Sequence, residues 1–135
     1  MKLALLGFGR FGQLTAKQLV KDFDLLVFDS NPSLKEKVNQ LGAKWGGVEN
    51  LKLCEIVVLA TPISQLPQTL DWLTPHLSPE ALVIDVCSVK RWPLNLMKEK
   101  LPESVSILGT HPMFGPDSIR ENCQKHKVVL CPERI

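Results

Sequence analysis

The sequence lacks a long apolar segment, a strong excess of one charge and any Cys-x-x-Cys pair. Its apolar start, residues 1–7, is too short for the hydrophobic region of a signal peptide or for a membrane span. The 16 basic and 14 acidic residues leave a net charge of +2, which is too weak to indicate a nucleic-acid or membrane partner. These absences favour one soluble globular domain over residues 1–135.

The four cysteines are spaced as free thiols rather than as metal ligands. Cys54, Cys87, Cys123 and Cys131 form no Cys-x-x-Cys pair, so we expect no zinc site and no other metal. Cys54 and Cys87 lie in or beside apolar runs, where a thiol behaves as a small hydrophobic group. Free thiols are typical of a reducing compartment, and we expect a cytoplasmic protein.

Short apolar runs alternate with segments of helical spacing along the chain. Strands are predicted at residues 3–6, 24–28, 43–45, 55–60, 81–86, 104–108 and 127–130. Helices are predicted at residues 10–21, 32–41, 63–73 and 91–100, with a further short helix over 117–124. This alternation predicts an α/β fold, a doubly wound and mostly parallel sheet with helices on both faces.

A glycine-rich turn follows the first predicted strand and opens the first predicted helix. Its sequence, Gly7-Phe8-Gly9-Arg10-Phe11-Gly12, fits the Gly-x-Gly-x-x-Gly pattern of a dinucleotide-binding Rossmann domain. Gly7 allows the tight turn, Gly9 lets the backbone approach a pyrophosphate, and Gly12 lets helix and strand pack closely. The whole turn is therefore predicted to bind a cofactor at the positive end of a helix. The alternative is that these glycines only make a tight turn in a domain that binds no nucleotide.

Asp29 ends the second predicted strand, where a carboxylate can bond the adenosine ribose hydroxyls of a dinucleotide. Such a carboxylate would repel a 2′-phosphate, so the sequence favours NAD over NADP. Ser30, Asn31 and Lys35 follow closely enough to accommodate a phosphate, which leaves NADP as the alternative.

Polar residues also follow two later strands, at the edge of the sheet where ligands of open α/β sheets bind. Thr61-Pro62 either lines the dinucleotide path or simply stops the strand before it. Ser88 is predicted to donate a hydrogen bond to a substrate oxygen or a carboxamide, the alternative being a cap for the helix at 91–100. Asp85 is expected to hold the loop through backbone N–H groups, and Lys90 is expected to be a solvated surface lysine rather than an anion contact.

His111 is the candidate proton acceptor. It follows the predicted strand 104–108, in a stretch expected to be a loop of little freedom because Pro112, Gly115 and Pro116 shape the backbone. Histidine as a residue type ionises near neutral pH, which suits removal of a proton from an alcohol. No role is predicted for the other two histidines, since a lone histidine is more often structural than catalytic.

The chain resembles the cofactor-binding half of the prephenate/arogenate dehydrogenases in four motifs, GFGRFGQ, ATPI, DVCSVK and THPMFGP. The resemblance covers nearly the whole chain, and GFGRFGQ, SVKRWPLNL and HPMFGPDS are most similar to the arogenate dehydrogenases of plants. It implies an NAD(P)-dependent oxidative decarboxylation of prephenate or arogenate in tyrosine biosynthesis. The ring alcohol is oxidised, and carbon dioxide leaves as the ring becomes aromatic.

By this resemblance, His111 would take the proton of the ring hydroxyl, and Ser88 would help to hold that hydroxyl and the nicotinamide. The family carries a second, helical domain that forms the dimer and supplies basic groups for the ring carboxylate of the substrate. We therefore expect the isolated chain to bind cofactor but to turn over substrate weakly or not at all. The oligomeric state is not fixed by the sequence, and a homodimer is one possibility. Asp29 departs from the plant-like pattern, which tends to favour NADP with a non-acidic residue at this position.

Two other functions fit parts of the sequence. A free-standing NAD-binding sensor domain, like those that regulate potassium channels, shares the size and the glycine turn but has no use for Ser88 and His111. A 3-hydroxyacid or pyrroline-carboxylate reductase would share the first half of the chain and lack HPMFGP. Prephenate and arogenate are not distinguished by these residues.

Overall fold

The structure, a computed structural model, describes residues 1–118 and 126–135. Within these residues the strands are β1 (Lys2–Leu6), β2 (Asp24–Phe28), β3 (Lys44–Trp45), β4 (Ile56–Leu59), β5 (Leu82–Asp85), β6 (Ser106–Pro112) and β7 (Val128–Arg134). The helices are α1 (Arg10–Leu19), α2 (Lys35–Gln40), α3 (Leu66–Leu73) and α4 (Arg91–Lys100). No helix in the described part of the chain is long and apolar enough to cross a membrane.

The strands form one sheet in the order β3-β2-β1-β4-β5-β6-β7. Every neighbouring pair is parallel except β6 and β7, which are antiparallel. The order of the first six strands is that of a Rossmann-type doubly wound sheet. This confirms the predicted fold class and places the reversal of strand order between β1 and β4.

Side chains of β1 alternate between two cores, one on each face of the sheet. Leu3 and Leu5 are buried in a cluster that includes Ala16 of α1 and Val38 of α2. Ala4 and Leu6 belong to a second cluster, which α3 and α4 cover through residues such as Leu70 and Met97. Because consecutive residues of a strand point to opposite faces, a strand buried on both sides reads as a continuous apolar run. Helices therefore cover both faces of the sheet, as predicted.

The helices α2 and α3 are shorter than predicted because each is preceded by a tighter 3₁₀ turn. These turns are Pro32–Leu34 and Ile63–Gln65. Asn31 caps the first of them, with its side-chain oxygen accepting from the Ser33 N–H at 3.1 Å. Proline is tolerated at such starts because the first N–H groups of a helix have no partner within it.

The last two strands differ most from the prediction. The strand predicted at 104–108 runs instead from Ser106 to Pro112, and the strand predicted at 127–130 continues to Arg134. The two strands are antiparallel and pair from Ile107 opposite Arg134 to Pro112 opposite Val128. Both are longer than predicted because each supplies hydrogen-bond partners to the other. Of the short helix predicted at 117–124, residues 119–124 lie outside the described residues.

Candidate active site

A cleft opens at the carboxyl edge of the sheet, where the strand order reverses. Its volume is about 1170 Å³, above the roughly 300–1,000 Å³ of most small-molecule sites. Ten of the residues predicted to bind cofactor or substrate line it, namely Gly7, Gly9, Arg10, Phe11, Gly12, Asp29, Ser30, Thr61, Pro62 and Ser88. Two predicted site residues, Phe8 and His111, do not line this cleft.

The three glycines of the turn meet different surroundings. Gly7 has φ +99°, and a Cβ built there would lie 2.6 Å from the carbonyl oxygen of Ala60. A Cβ at Gly12 would lie 2.1 Å from the carbonyl oxygen of Gly7. At Gly9 an added Cβ would meet no atom within 4 Å. The fold thus requires glycine at positions 7 and 12, as predicted for a tight turn and a closely packed helix, whereas the space beside Gly9 is open to a ligand.

The first turn of α1 has no side-chain cap. Gly9 is the N-cap residue, and no acidic residue lies in the first turn. The Gly9 carbonyl accepts from the Gln13 N–H at 2.9 Å, which begins the helical ladder. The N–H groups before Gln13 have no partner within the helix, and together with the helix dipole they favour an anion at this end of the cleft.

Backbone N–H groups hold the carboxylate of Asp29 against the glycine turn. Phe8 N–H donates to Oδ2 at 2.7 Å, and Asn31 N–H donates to Oδ1 at 2.9 Å. Each oxygen keeps a further lone pair for a hydroxyl of a ligand. The Phe8 side chain is 1% exposed and packs in the core. Phe8 therefore acts on the site through its N–H group, which orients Asp29.

Thr61-Pro62 follows β4 directly after Ala60 and also lines the cleft. A role in stopping the strand and a place beside the cleft are therefore compatible. The Thr61 hydroxyl oxygen accepts a long hydrogen bond, at 3.4 Å, from the hydroxyl of Thr69 in α3. Both threonines line the cleft. The strand end thus lies at the carboxyl edge of the sheet, and contact of Thr61 with a dinucleotide stays a prediction.

Sequence analysis missed a group of apolar side chains that line the cleft near Asp29. Phe28, Val48, Ile63 and Trp72 belong to it. The Phe28 ring lies edge-on to Trp72 with centroids 6.2 Å apart, and Trp72 is 44% exposed. Such a surface suits a flat aromatic ligand group. The sequence carries no signal for it, because the four residues come from separate elements that only the folded sheet brings together.

Ser88 lies exposed in the loop between β5 and α4 and lines the cleft. It does not cap α4, since Lys90 is the N-cap residue and makes no side-chain cap bond. In the same loop, burial and the nearby Asp85 carboxylate raise the pKa of the Cys87 thiol to about 11. The thiol is therefore protonated at neutral pH, and the Ser88 hydroxyl is the polar group that this loop offers to a ligand.

Lys90 is not the solvated surface lysine that the sequence suggested. Its ammonium group bonds both oxygens of the fully buried Asp85 carboxylate, and it donates to the carbonyl of Thr110 at 2.6 Å. Asp85 also accepts from the Cys87 N–H at 3.1 Å, as predicted for a carboxylate that holds this loop. Burial raises the pKa of Asp85, while Lys90 and the Cys87 N–H oppose that rise. The prediction for Lys90 was wrong because the loop folds the lysine back over a carboxylate that sequence spacing does not reveal.

His111 lies in a strand rather than in the predicted loop. It is half-buried and pairs with Val129, because β7 lies beside this part of β6. The expectation of a loop rested on the prolines and glycine after it, whereas a pairing partner eighteen residues further along the chain decides the conformation. Ser88 follows β5 and His111 lies near the end of β6, the parallel neighbour of β5, which pairs with β5 as far as Gly109 opposite Asp85.

The segment after β6 contacts the glycine turn. The Arg10 guanidinium pairs with the Asp117 carboxylate, and both side chains are exposed. The rings of Phe11 and Phe114 lie 6.4 Å apart between centroids. The structure therefore brings the segment of the THPMFGP motif against the GFGRFGQ turn. Within residues 1–118 and 126–135, no three His, Cys, Asp or Glu residues are grouped so as to hold a metal ion.

Comparison with known proteins gives matches over nearly the whole chain. Residues 15–134 match the family described as "Prephenate dehydrogenase, nucleotide-binding domain". The chain is 34% identical over 139 residues to arogenate dehydrogenase 1, chloroplastic, of Arabidopsis thaliana, a match that covers 100% of this chain and 22% of the relative.

Solved structures of similar proteins share the fold. The crystal structure of Synechocystis arogenate dehydrogenase matches with a TM-score of 0.82 and 31% identity, over 98% of this chain and 50% of that one. Prephenate dehydrogenase from Aquifex aeolicus, solved with hydroxyphenyl propionate and NAD+, matches with a TM-score of 0.79 over 98% of this chain and 51% of that one. Its identity of 23% supports the fold alone. The chain thus spans about a fifth of the Arabidopsis relative and half of these solved chains.

Proposed function

The chain belongs to the prephenate dehydrogenase family, as its nucleotide-binding domain, and we propose that it carries the cofactor site of an enzyme that oxidatively decarboxylates prephenate or arogenate. One observation carries the proposal: the glycine turn, Asp29 and Ser88 all line a single cleft at the carboxyl edge of the sheet. An uncapped helix end, a ribose-binding carboxylate and a free hydroxyl along one cleft are the groups that a dinucleotide and an adjacent alcohol need.

We favour NAD over NADP as the cofactor. The Asp29 carboxylate is held by the N–H groups of Phe8 and Asn31 at the end of β2. A negative charge oriented there accepts from ribose hydroxyls and repels a 2′-phosphate. The exposed Ser30 beside it supplies a hydroxyl that a phosphate would use if the carboxylate were removed.

The cofactor preference is tested by Asp29→Ser, measured with NAD and NADP by calorimetry. We expect NAD affinity to fall about tenfold or more, because a hydrogen bond between a ribose hydroxyl and the Asp29 carboxylate is lost. NADP affinity should rise relative to NAD affinity, because the repulsion between this carboxylate and the 2′-phosphate is lost as well. The exposed Asp22→Ser variant, at the end of the loop before β2, is the control and leaves both affinities unchanged. A wild-type preference for NADP would contradict the proposal.

In the proposed reaction, a bound nicotinamide supplies the hydride acceptor. The Ser88 hydroxyl donates a hydrogen bond that helps to hold the reacting oxygen of the substrate, and His111 accepts the proton of the ring alcohol. Aromatisation of the ring drives the release of carbon dioxide, so the protein contributes mainly orientation and a proton acceptor. The adjacency of β5 and β6 supports this pairing of roles, because Ser88 follows β5 and His111 lies near the end of β6.

The decisive experiment measures NADH or NADPH formation with prephenate and with arogenate. It uses the chain alone and the chain fused to the C-terminal part of a relative. We expect dinucleotide binding by both proteins and robust turnover only by the fusion, because positioning by the added part of the active site is worth several kcal/mol, about 7 to 11 in favourable cases. His111→Asn and Ser88→Ala should lower kcat in the fusion, by roughly 100-fold or more for His111, while the exposed His76→Asn control should not.

Binding without turnover by either protein would favour the non-catalytic sensor function instead. Absence of dinucleotide binding would contradict both functions.

We also propose a cytoplasmic location. Cys54, Cys87 and Cys131 are free thiols, and free thiols are typical of a reducing compartment. The Arabidopsis relative is described as chloroplastic. Fractionation of cells with an antibody to this chain distinguishes the cytoplasm from an organelle.

A further inference from the structure

Ser88 and His111 lie beyond the part of the sheet in which β5 and β6 pair with each other. The ladder between β5 and β6 runs from Leu82 opposite Ser106 to Asp85 opposite Gly109. Ser88 and His111 come after the last pair, on separate stretches of chain. His111 pairs instead with Val129 of β7. The ladder between β5 and β6 therefore does not set the position of Ser88 relative to His111.

Side-chain contacts connect the two stretches where the ladder stops. The Lys90 ammonium bonds the Asp85 carboxylate and the Thr110 carbonyl oxygen, the latter at 2.6 Å. The Thr110 hydroxyl in turn donates to the Asp85 carbonyl at 2.6 Å. Thr110 directly precedes His111, so the residue before the candidate base is held at both its carbonyl and its hydroxyl.

The same carboxylate holds the other stretch. Cys87, which directly precedes Ser88, donates its N–H to Asp85 at 3.1 Å. The ion pair of Lys90 and Asp85 thus touches the residue before Ser88 and the residue before His111. Asp85 is fully buried and the Lys90 side chain is 19% exposed, so water competes little for these bonds.

Stability alone is a weak explanation for this ion pair. Replacing a buried ion pair by apolar side chains is often neutral or stabilising, because the pair loses the hydration of both charges. An ammonium group has three donors, and here they reach the two oxygens of Asp85 and the carbonyl of Thr110. The Lys90 ammonium is thus engaged with groups of the protein itself.

We infer that Lys90 is a positioning residue, which bridges Asp85 at the end of β5 and Thr110 of β6 and so sets Ser88 relative to His111. This inference rests on the proposed function for the roles of those two residues. The bridge itself is a property of the chain without ligands. It can therefore be tested without turnover.

The test compares NMR spectra of the wild-type chain with those of Asp85→Asn/Lys90→Met. The double variant removes both charges together, so it avoids the unpaired buried carboxylate that Lys90→Met alone would leave and that could prevent folding. We expect the backbone amide signals of Ser88 and His111 to shift and broaden, while signals of β1 and β2 stay in place. The control is Lys100→Met, which removes another lysine–aspartate contact of α4, the 2.5 Å bond to Asp71, and should leave both signals unchanged.

The effect of these substitutions on the reaction is measured in the fusion of the chain with the C-terminal part of a relative. In the double variant kcat should fall about 10- to 100-fold, because displacements near 1 Å carry costs of this size, while the KM for the dinucleotide stays within about twofold of wild type. Lys90→Arg, which keeps the charge and the donors, should recover part of the loss. Unchanged Ser88 and His111 signals in a folded double variant would overturn the inference. Failure of the wild-type protein to bind a dinucleotide would overturn the proposed function and leave the NMR result intact.

Discussion

At the residue scale, we expect Gly9 to matter for dinucleotide binding and Gly12 to matter for folding. Gly9→Ala should fold, since its Cβ meets no atom within 4 Å, but the methyl group would occupy the space that a pyrophosphate needs. We expect a melting temperature within about 2 °C of wild type, because a substitution without clashes changes stability little, and dinucleotide affinity at least about tenfold lower, by calorimetry.

The matched variant is Gly12→Ala, whose Cβ would lie 2.1 Å from the carbonyl oxygen of Gly7. Overpacking against backbone lowers the free energy of unfolding by about 1–3 kcal/mol or more, so thermal unfolding should shift downward clearly. Equal losses of stability in the two variants would contradict the prediction that a Cβ at Gly9 meets no neighbouring atom.

Also at the residue scale, the Cys87 thiol should react slowly. Burial raises its pKa to about 11 from the ordinary value of 9.0, and only the thiolate is nucleophilic. Its alkylation by iodoacetamide, followed by peptide mass spectrometry, should keep rising with pH through pH 10. A rate that levels off near pH 9 would contradict the assignment.

The direction of the effect on stability follows from the same shift. A folded-state pKa above the unfolded one means that the folded chain holds the proton more tightly. The contribution of Cys87 to stability is therefore complete below about pH 9 and is lost as the pH rises toward about 11. Cys87→Ala should remove this part of the alkaline destabilisation.

At the element scale, Arg134 anchors the end of β7. Its guanidinium donates to the carbonyls of Val105 at 2.8 Å and Pro102 at 2.7 Å, just before β6. A bulge between Ile107 and Leu108 interrupts the regular pairing near this end. Arg134→Gln should therefore speed hydrogen exchange of β7 amides by about tenfold, as expected from the loss of about 1.4 kcal/mol of local stability, with little change in β1.

The control for Arg134 is Lys98→Gln. It removes the partly exposed ion pair with Glu133 of the same strand. Such pairs contribute about 0–1 kcal/mol, so exchange in β7 should change little. Faster exchange throughout the sheet in Arg134→Gln would mean that β7 does not open as a separate unit.

The elements also show which sequence signals are local. β2 was predicted residue for residue, and α4 as well, because their apolar spacing and flanking residues are encoded within the segment. The extension of β6 through His111 was not predicted, since it depends on β7, which arrives from later in the chain. Proline and glycine are local signals of a loop, which tertiary pairing overrides as far as Pro112, whereas Gly115 and Pro116 lie outside the strand as predicted.

At the scale of the whole molecule, β7 presents an apolar surface. Val128, Val129 and Leu130 are 46%, 48% and 61% exposed, respectively. Exposed apolar groups of this kind promote association, so we expect the isolated chain to self-associate at high concentration. Leu130→Lys should reduce the associated fraction in sedimentation velocity.

The control is Leu53→Lys, which places the same charge at a residue that is 51% exposed in the 3₁₀ turn Val48–Leu53. It should not alter association. A strictly monomeric wild-type chain would contradict the prediction and with it a homodimer through this strand.

The sequence by itself determined the alternation of strands and helices, the glycine turn and the acidic end of β2. Each of these follows from short-range spacing, and the structure confirms the turn geometry at Gly7 and Gly12. Only the tertiary structure decided that Lys90 is paired rather than solvated, that His111 is in a strand, and that Trp72 lines the cleft. These features depend on which distant segments pack together, and burial, ion pairing and strand pairing between such segments leave no periodic trace in the sequence.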